Sequence, residues 1–310
     1  MAMTPWGDIP VADAHLHFFS PAFFKVLAEQ KNVPSVAQEL GWDEPTSPEA
    51  LAYRWNGELD RNNVSQAMLI ASTTNDTISV GAAIEKYPDR FRAIYMANPM
   101  LPSSDMRYES AIREDYVSGI FLFPALHRYS LREEKVAGLV QVVAGHPGSV
   151  VYVHCGALSL GFRKKLGLPC PYDMRHSNPI DLHGLATQFP RLNFVIPHFG
   201  AGFFREALMV ADLCPNVYFD TSSSNRWMKA QVEDLTLEKV FSKALSVVGH
   251  KRLLFGSDSS WFPRGWVGSV FDDQMRALKN IGANEETVRA ILGENLMRIA
   301  PSRATAITNN

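Results

Sequence analysis

The chain contains 310 residues, of which 46% are hydrophobic and 20% charged, a composition typical of a globular protein and not of a disordered chain. Its 30 Lys and Arg residues nearly balance its 32 Asp and Glu residues, and the net charge of −2 argues against a protein that binds nucleic acid through a basic surface. The length fits either two ordinary domains or one (β/α)8 barrel.

Short apolar segments recur along the chain and are predicted to be strands. They lack the polar alternation of a half-exposed strand, which indicates strands buried on both faces of a sheet. In chain order these segments are Ile9–Ala14, Ser65–Ala71, Arg92–Ala97, Gly119–Phe123, Val150–His154, Asn193–His198, Val217–Asp220 and Arg252–Gly256.

Segments with helical periodicity lie between these strands. They include Ile78–Tyr87, Met106–Tyr116, Glu133–Gly145, Phe203–Leu213, Leu235–Val248 and Glu285–Ile299, the last with a break at 293–295. This alternation predicts a parallel sheet, and eight units fit a distorted α/β TIM barrel, (β/α)8, with inserted helical loops. The rival is an open doubly wound sheet, but its nucleotide-binding forms are disfavoured because no Gly-x-Gly-x-x-Gly follows the first strand and no Walker-type Gly-Lys-Ser/Thr occurs.

Two connections are longer than the repeating units need. One is an insertion at about 18–63, and the other is a loop at about 156–180. Long ordered connections often act as lids or binding loops, and the alternatives are a surface elaboration or a subunit contact. We expect a single domain over residues 1–310, with the second loop contributing to an active site.

The cysteines Cys155, Cys170 and Cys214 are odd in number and widely spaced, so they predict neither a disulfide framework nor a cysteine zinc site. Asp8 and Asp13 interrupt any signal-like N-terminal segment, and no stretch approaches 18 consecutive apolar residues. We therefore predict a cytoplasmic protein without a membrane-spanning helix.

Ionisable residues lie at the carboxyl ends of four predicted strands. His15 and His17 follow the first strand, His154 ends the fifth, His198 ends the sixth and Asp258 follows the eighth. In a parallel barrel these ends open on one face, where active sites are built. We therefore expect these five side chains to converge.

Histidines two residues apart on a strand point to the same side and can share one metal ion. Neutral imidazoles and a carboxylate suit zinc, so we predict one divalent ion, with Zn²⁺ as first choice, bound by His15, His17, His154 and Asp258. Such an ion lowers the pKa of a water molecule, Asp258 can collect the proton, and His198 can polarise a carbonyl or hold the water. A set of histidines with purely structural roles is the alternative.

These residues resemble the amidohydrolase superfamily, and specifically the amidohydrolase-related (amidohydrolase 2) family that includes aminocarboxymuconate-semialdehyde decarboxylase and its hydrolase relatives. The similarity runs from residue 13 to residue 297, and the supporting stretches are Phe189–Gly200, Pro215–Ser222, Arg252–Asp258 and Gly293–Met297. The resemblance implies a distorted (β/α)8 barrel with the same four metal ligands. It also implies that His198 is either a further ligand or, as we favour, an acid/base group that positions the water.

The chain departs from the binuclear members of this superfamily, which carry a bridging lysine on the fourth strand. Here that strand is Gly119-Ile-Phe-Leu-Phe-Pro124 and has no lysine. Because the bridging lysine is missing, the resemblance implies one metal ion and not two. Some lactone-hydrolysing relatives work without metal, so the resemblance is also compatible with none.

Candidates for substrate binding lie in the loops that follow the strands. An arginine fork pairs with carboxylate through two hydrogen bonds, and tryptophan can line a pocket for a planar molecule. Surface charge and packing are the alternative roles for all of them. These residues are Arg54, His127, Arg163, Arg226 and Trp261, with Arg264 following the same strand as Trp261.

Three functions remain open from the sequence. The first is a metal-dependent hydrolase of an amide, ester or lactone, acting on a small substrate with a carboxylate or ring. The second is a non-oxidative decarboxylase of an aromatic or unsaturated acid, in which Asp258 or His198 protonates the carbon. The third is a non-enzymatic barrel. We expect a small-molecule partner, no nucleic acid, no membrane, and a homodimer as the assembly to test.

Overall fold

Eight parallel strands form one sheet in the computed structural model, which describes residues 2–223, 225–232 and 234–301. Within the sheet ladders each strand pairs with its neighbours in the sequence. The strands are β1 (Val11–Phe18), β2 (Val64–Ala71), β3 (Phe91–Ala97), β4 (Gly119–Leu122), β5 (Val150–Val153), β6 (Asn193–Ile196), β7 (Val217–Asp220) and β8 (Leu253–Leu254).

Backbone hydrogen bonds join the first strand to the segment that follows the last one. The Ala14 N–H donates to the Phe255 carbonyl at 2.8 Å, and the Asp258 N–H donates to the His15 carbonyl at 3.0 Å. These bonds close the sheet on itself, and the predicted (β/α)8 barrel is confirmed.

The carboxylate of Asp13 reinforces this seam. Its Oδ1 accepts hydrogen bonds from the backbone N–H groups of His15 and Ser257, each at 3.0 Å. Its Oδ2 accepts from the indole of Trp266 at 2.8 Å and from the hydroxyl of Ser257. Asp13 is fully buried, so these donors replace the water that a carboxylate requires.

Helices connect successive strands, and most of them pack on the outside of the barrel. From β2 to β8 they are Thr77–Lys86, Ser104–Arg113, Pro124–His127, Glu134–Ala144, Gly161–Lys165, Leu182–Gln188, Phe204–Leu213 and Leu237–Val248. After β8 come Gly268–Asn280, Glu285–Arg289 and Asn295–Ile299. None of the helices in the described ranges is both long enough and apolar enough to cross a membrane.

The start of the chain differs from the predicted strand Ile9–Ala14. Ile9 belongs to an antiparallel hairpin formed by Ala2–Thr4 and Gly7–Ile9, and β1 continues to Phe18. Pro10 separates the two strands and has no N–H for a ladder. The two histidines therefore lie inside β1 rather than after it.

Other predicted strands are shorter in the structure. His154 directly follows β5, and His198 lies two residues after the end of β6, so neither histidine ends its strand. The predicted segment Arg252–Gly256 keeps only Leu253–Leu254 as strand, because Phe255 donates its N–H to Ile291 of the C-terminal helical segment.

The insertion at 18–63 contains three helices, which are α1 (Pro21–Lys31), α2 (Ala37–Leu40) and α3 (Pro48–Arg61). The first two pack with the loop after β5 in a hydrophobic cluster separate from the barrel core. That cluster contains Phe19, Phe23, Phe24, Leu27, Ala28, Val36, Leu40 and Leu166. The insertion and the long loop therefore meet at one side of the barrel.

The break predicted at 293–295 is a π-helical turn at Ala290–Glu294, and it brings Asn295 beneath β8. The buried side chain of Asn295 donates from Nδ2 to the carbonyls of His250 and Leu253, both at 2.8 Å. These two carbonyls flank the start of β8, so the Gly-Glu-Asn stretch supports the shortest strand of the barrel.

We expect Asn295→Ala to lower the free energy of unfolding by about 2–4 kcal/mol, because two buried carbonyls lose their donor. Urea denaturation followed by circular dichroism measures this change. The control is Asn280→Ala, which removes an exposed amide bonded to Glu238 and should change stability by less than about 0.5 kcal/mol. Equal effects of the two substitutions would contradict this role of Asn295.

Candidate active site

The two-residue repeat of β1 presents His15 and His17 on the same side of the strand, and Phe19 follows directly after its end. All three line a cavity at the barrel mouth, while Leu16 and Phe18 between them are fully buried in the hydrophobic core. The apolar side chains of Leu16 and Phe18 thus anchor β1 in the hydrophobic core, and the histidines that alternate with them face the cavity.

Three potential ligand atoms converge at this mouth. The Nε2 atoms of His15 and His17 are 3.3 Å apart, and Oδ1 of Asp258 lies 3.9 Å and 3.4 Å from them, respectively. Atoms with these separations share a point about 2.1 Å from each, the length of a Zn–N or Zn–O bond. The three side chains therefore fit one divalent ion without rearrangement.

Hydrogen bonds fix which ring nitrogens carry protons. The Nδ1–H of His15 donates to the Asp220 carboxylate at 2.7 Å. Nδ1 of His17 lies 2.7 Å from the hydroxyl of Ser72, which donates its own proton to the Ile70 carbonyl and must accept from the ring. When the rings are neutral, both Nε2 atoms therefore carry lone pairs, the state that a metal ligand requires.

Asp220 is a site residue that the sequence analysis placed in a strand but did not assign a role. It ends β7 and is fully buried. Burial raises the pKa of this carboxyl, but the charge and hydrogen bond of His15 outweigh it and hold the pKa below its usual range. Its position at the end of a buried strand is the same signal that identified His154.

His198 follows β6 with its backbone in the left-handed region, at a φ of 56°. Its Nδ1 lies 2.8 Å from the hydroxyl of Ser222, which donates to Asp220 and so accepts the ring proton. Nε2 of His198 is therefore a proton acceptor. Asp258 also has a positive φ of 58°, and strained backbone of this kind clusters at functional sites.

His154 lies close to this group but outside the three-atom cluster. Its ring stacks on Phe123 at 5.2 Å and lies 5.5 Å from the ring of His198. Both ring nitrogens are buried and have no hydrogen-bond partner among the described residues. A buried polar group without a partner costs free energy, so these nitrogens are suited to a ligand that the protein atoms do not supply.

Gly156 explains why His154 and His198 are neighbours. Its φ is 77°, and a Cβ at this position would lie 2.1 Å from the carbonyl oxygen of Gly200. Only glycine allows the loop after β5 to approach the loop after β6 this closely.

The cavity above these residues has a volume of about 650 Å³. Of the predicted substrate-binding residues, His127, Arg163 and Trp261 line it, and Arg264 does so too. Arg54 and Arg226 do not line it: the guanidinium of Arg54 pairs with Asp43 at 2.7 Å and Arg226 is exposed.

The two arginines of the cavity differ in how they are held. Arg264 donates from Nη2 to the Asp258 carbonyl at 3.1 Å and to the Ser260 hydroxyl at 2.9 Å. Arg163 donates to the Pro169 carbonyl and to the side chain of Gln30 on α1. One cation therefore lies beside the metal-ligand cluster and the other lies against the insertion.

His127 adds a neutral polar group to the cavity. Its Nε2 lies 3.2 Å from the hydroxyl of Thr74, and burial lowers the pKa of the imidazole to about 4. The ring is uncharged at neutral pH and can exchange hydrogen bonds with an uncharged oxygen.

Comparison with known proteins links the chain to one family. The sequence model of the amidohydrolase family matches residues 12–299. The protein fluG of Emericella nidulans is 32% identical over 87 residues, which are 28% of this chain and 10% of that protein. The chain thus spans only a small part of that relative.

Solved structures share the fold over nearly the whole chain. A 5-carboxyvanillate decarboxylase from Novosphingobium aromaticivorans, complexed with manganese and 4-hydroxy-3-methoxy-5-nitrobenzoic acid, has a TM-score of 0.64 at 15% identity, over 94% of this chain and 96% of its own. A probable 2-pyrone-4,6-dicarboxylic acid hydrolase from Acinetobacter baumannii, with citric acid bound, has a TM-score of 0.61 at 15% identity, over 94% and 99%. At this identity the likeness shows the fold alone.

We expect His15→Ala and His17→Ala each to abolish stoichiometric metal binding, because a convergent nitrogen ligand is lost from a three-atom cluster. Elemental analysis of protein expressed with added zinc or manganese measures the metal content. His183→Ala removes an exposed histidine outside the cavity and should retain full metal content. Full metal content in both cluster variants would refute the assignment.

Proposed function

The chain belongs to the amidohydrolase family, and we propose that it is a metal-dependent hydrolase that cleaves an amide, ester or lactone bond of a small carboxylate-bearing substrate. The observation that carries this proposal is the hydrogen bonding of His198. Its Nδ1–H is committed to Ser222, so its Nε2 can accept a proton but cannot donate one. A proton acceptor beside the ligand cluster suits the activation of water.

We propose that one divalent ion, zinc as first choice, is held by Nε2 of His15, Nε2 of His17 and the carboxylate of Asp258, with His154 as a further nitrogen ligand. Such an ion supplies Lewis acidity that makes water a nucleophile at neutral pH. The two ring nitrogens are already aimed by Asp220 and Ser72, so the protein supplies ligands of fixed orientation.

Two groups of the chain can then manage the proton of the attacking water. The Asp258 carboxylate uses one oxygen toward the histidines, and its second oxygen is a proton acceptor. His198 lies 4.8 Å from His15, measured between ring centroids, and its Nε2 can orient the water by accepting one of its protons. Polarising the substrate carbonyl would require the ring to be protonated at Nε2 first.

Substrate binding is assigned to the cavity. Arg264 has donors beyond the Nη2 that it uses within the described residues, and a guanidinium of this kind pairs with a carboxylate through two hydrogen bonds. Among the described residues that line the cavity, Asp258 is the only one with a carboxylate, so little negative charge opposes an anionic substrate there. His127 and Thr74 can bind an uncharged oxygen.

Non-oxidative decarboxylation of an aromatic or unsaturated acid is the second candidate. The apolar residues that line the cavity with Arg264, among them Phe162 and Trp261, favour it, because removing a carboxylate from water assists loss of CO2. It needs Asp258 or His198 in a protonated state to deliver a proton to carbon, and this requirement separates the two candidates.

A substrate panel of lactones, esters, amides and aromatic carboxylic acids tests the proposal. We expect acid release from an acyl substrate without CO2, and CO2 release with no hydrolysis across the panel would sink the hydrolase assignment. His198→Gln should lower kcat by about 10²–10⁴-fold with full metal content, because proton transfer is lost. His183→Gln is the control, and unchanged kcat in His198→Gln would remove this residue from the reaction.

We expect Arg264→Gln to raise KM for a carboxylate-bearing substrate by about 10–100-fold with a smaller change in kcat, since a charge-assisted pair is lost. Steady-state kinetics measures both constants. Arg226→Gln, an exposed arginine outside the cavity, should leave KM unchanged. The assignment fails if the Arg226 variant raises KM and the Arg264 variant does not.

A further inference from the structure

A second cavity lies at the end of the barrel opposite the candidate active site, and we call it the floor cavity. Arg92 is the second residue of β3, and Ser118 and Ser149 directly precede β4 and β5, so all three lie at the amino ends of their strands. These residues line the floor cavity, which has a volume of about 210 Å³. The candidate active site is built at the carboxyl ends of the strands, so the two cavities lie at different ends of the barrel.

The side chain of Arg92 enters the barrel interior at this end. Arg92 pairs with Met68 of β2, and Met68 belongs with Ile94 to a cluster of buried side chains contributed by all eight strands. Because side chains alternate along a strand, Arg92 shares the inward side of β3 with Ile94. Arg92 is only 5% exposed, so its positive charge is largely removed from water.

The guanidinium of Arg92 is incompletely paired. Its Nε–H donates to the Ala300 carbonyl at 2.6 Å, directly after the helix Asn295–Ile299. Within residues 2–223, 225–232 and 234–301 this is the one hydrogen bond of the side chain, and no carboxylate forms an ion pair with it. Four N–H donors on the two Nη atoms therefore lack an acceptor there, which is costly for a buried cation.

A neighbouring arginine shows what a fully used guanidinium is like at this end of the barrel. Arg298 is exposed, yet it donates from Nη1 to the hydroxyl of Tyr218 at 3.2 Å and from Nη2 to the Lys251 carbonyl at 2.6 Å. Burial lowers the pKa of the Arg92 guanidinium, and the negative charge of Asp89 opposes this shift without cancelling it. The buried arginine is thus the one that lacks partners, and an anion in the floor cavity would supply them.

The rest of the lining indicates which anion fits. Asp89 and Asp115 line the floor cavity and are exposed, and the charge of Asp89 acts on Arg92. A negative charge beside the site opposes a multiply charged anion more strongly than a singly charged carboxylate. Much of the remaining lining is apolar and suits an alkyl chain, and it includes Ile84, Ile112, Val117, Pro147 and Pro301. A volume of about 210 Å³ is below that of pockets for drug-sized ligands, which limits the ligand to a few non-hydrogen atoms.

We propose that the floor cavity binds a small aliphatic monocarboxylate, whose two oxygens accept hydrogen bonds from the Nη groups of Arg92 while its alkyl chain contacts the apolar lining. A guanidinium fork and a carboxylate match in shape and in charge. The inference does not rest on the proposed function, because the floor cavity and the cavity at the barrel mouth share no lining residue within the described ranges.

A titration followed by ¹H–¹⁵N NMR tests this inference on protein expressed with added zinc. The backbone amides of Gly148 and Ser149 report on the floor cavity, and those of Ser159 and Gly161 report on the cavity at the mouth. We expect butyrate to shift the Gly148 and Ser149 signals at a concentration at least about 10-fold lower than butyramide or phosphate, because only butyrate offers two acceptors with a single charge. Butyramide or phosphate acting at the same concentration as butyrate would overturn the inference.

Matched variants identify the group that binds the carboxylate. Arg92→Gln should weaken butyrate binding at the floor reporters by at least about 10-fold, because the charged fork is lost. Arg113→Gln removes an exposed arginine that does not line the floor cavity and should leave the titration unchanged. Asp89→Asn should tighten butyrate binding about 2–5-fold at low ionic strength, because a repelling charge is removed. Butyrate binding that survives in Arg92→Gln would refute the site.

Thermal melts establish that each variant is folded before it is titrated. If Arg92→Gln does not fold, Arg92→Lys takes its place, and it should weaken butyrate binding by about 10-fold because an ammonium group lacks the fork. Unchanged binding in Arg92→Lys would overturn the inference. Butyrate binding at the floor reporters without hydrolysis of any acyl substrate would support this inference and sink the proposed function, and hydrolysis without binding at these reporters would do the reverse.

Discussion

The contact on which the site depends is the buried carboxylate of Asp13 at the seam of the barrel. It accepts backbone hydrogen bonds from both sides of the seam, from His15 on β1 and from Ser257 after β8. Because Ser257 directly precedes Asp258, the same carboxylate that joins the two ends of the sheet brings Asp258 opposite His15 and His17. An apolar side chain at this position would leave these donors without an acceptor and would weaken the seam.

The positions of the protons on the histidine rings depend on residues that lie behind the three converging ligand atoms. Asp220, Ser72 and Ser222 each accept a hydrogen bond from the Nδ1–H of a histidine. Asp220 does so because it is a carboxylate, and the two serines do so because their hydroxyl protons are donated to other acceptors. The resulting Nε2 lone pairs all belong to imidazoles that line the cavity. These three hydrogen-bond acceptors thus determine which ring nitrogens present a lone pair to the cavity.

Apolar runs and their spacing were sufficient to predict a barrel and the residues at its mouth, because strands buried on both faces leave few positions for a polar side chain. They failed at the end of β1, where histidines continue a strand that an apolar pattern ends at Ala14. Asp220 was included in a predicted strand but its role was missed, although it satisfied the criterion applied to His154. The separation of His154 from the ligand cluster, and of Arg54 from the cavity, depends on loop packing that spacing alone does not encode.

The alternation of β1 also limits how this protein can change. His15 and His17, the two proposed imidazole ligands, are two residues apart on β1, so a one-residue insertion or deletion before them would turn both rings toward the core together. The two imidazoles therefore keep their common orientation only while the register of β1 is kept. Trp42 and Trp261 lie on loops and are free of that constraint. Substitutions at Trp42 and Trp261, which line the cavity, would therefore change its shape without changing the register of β1.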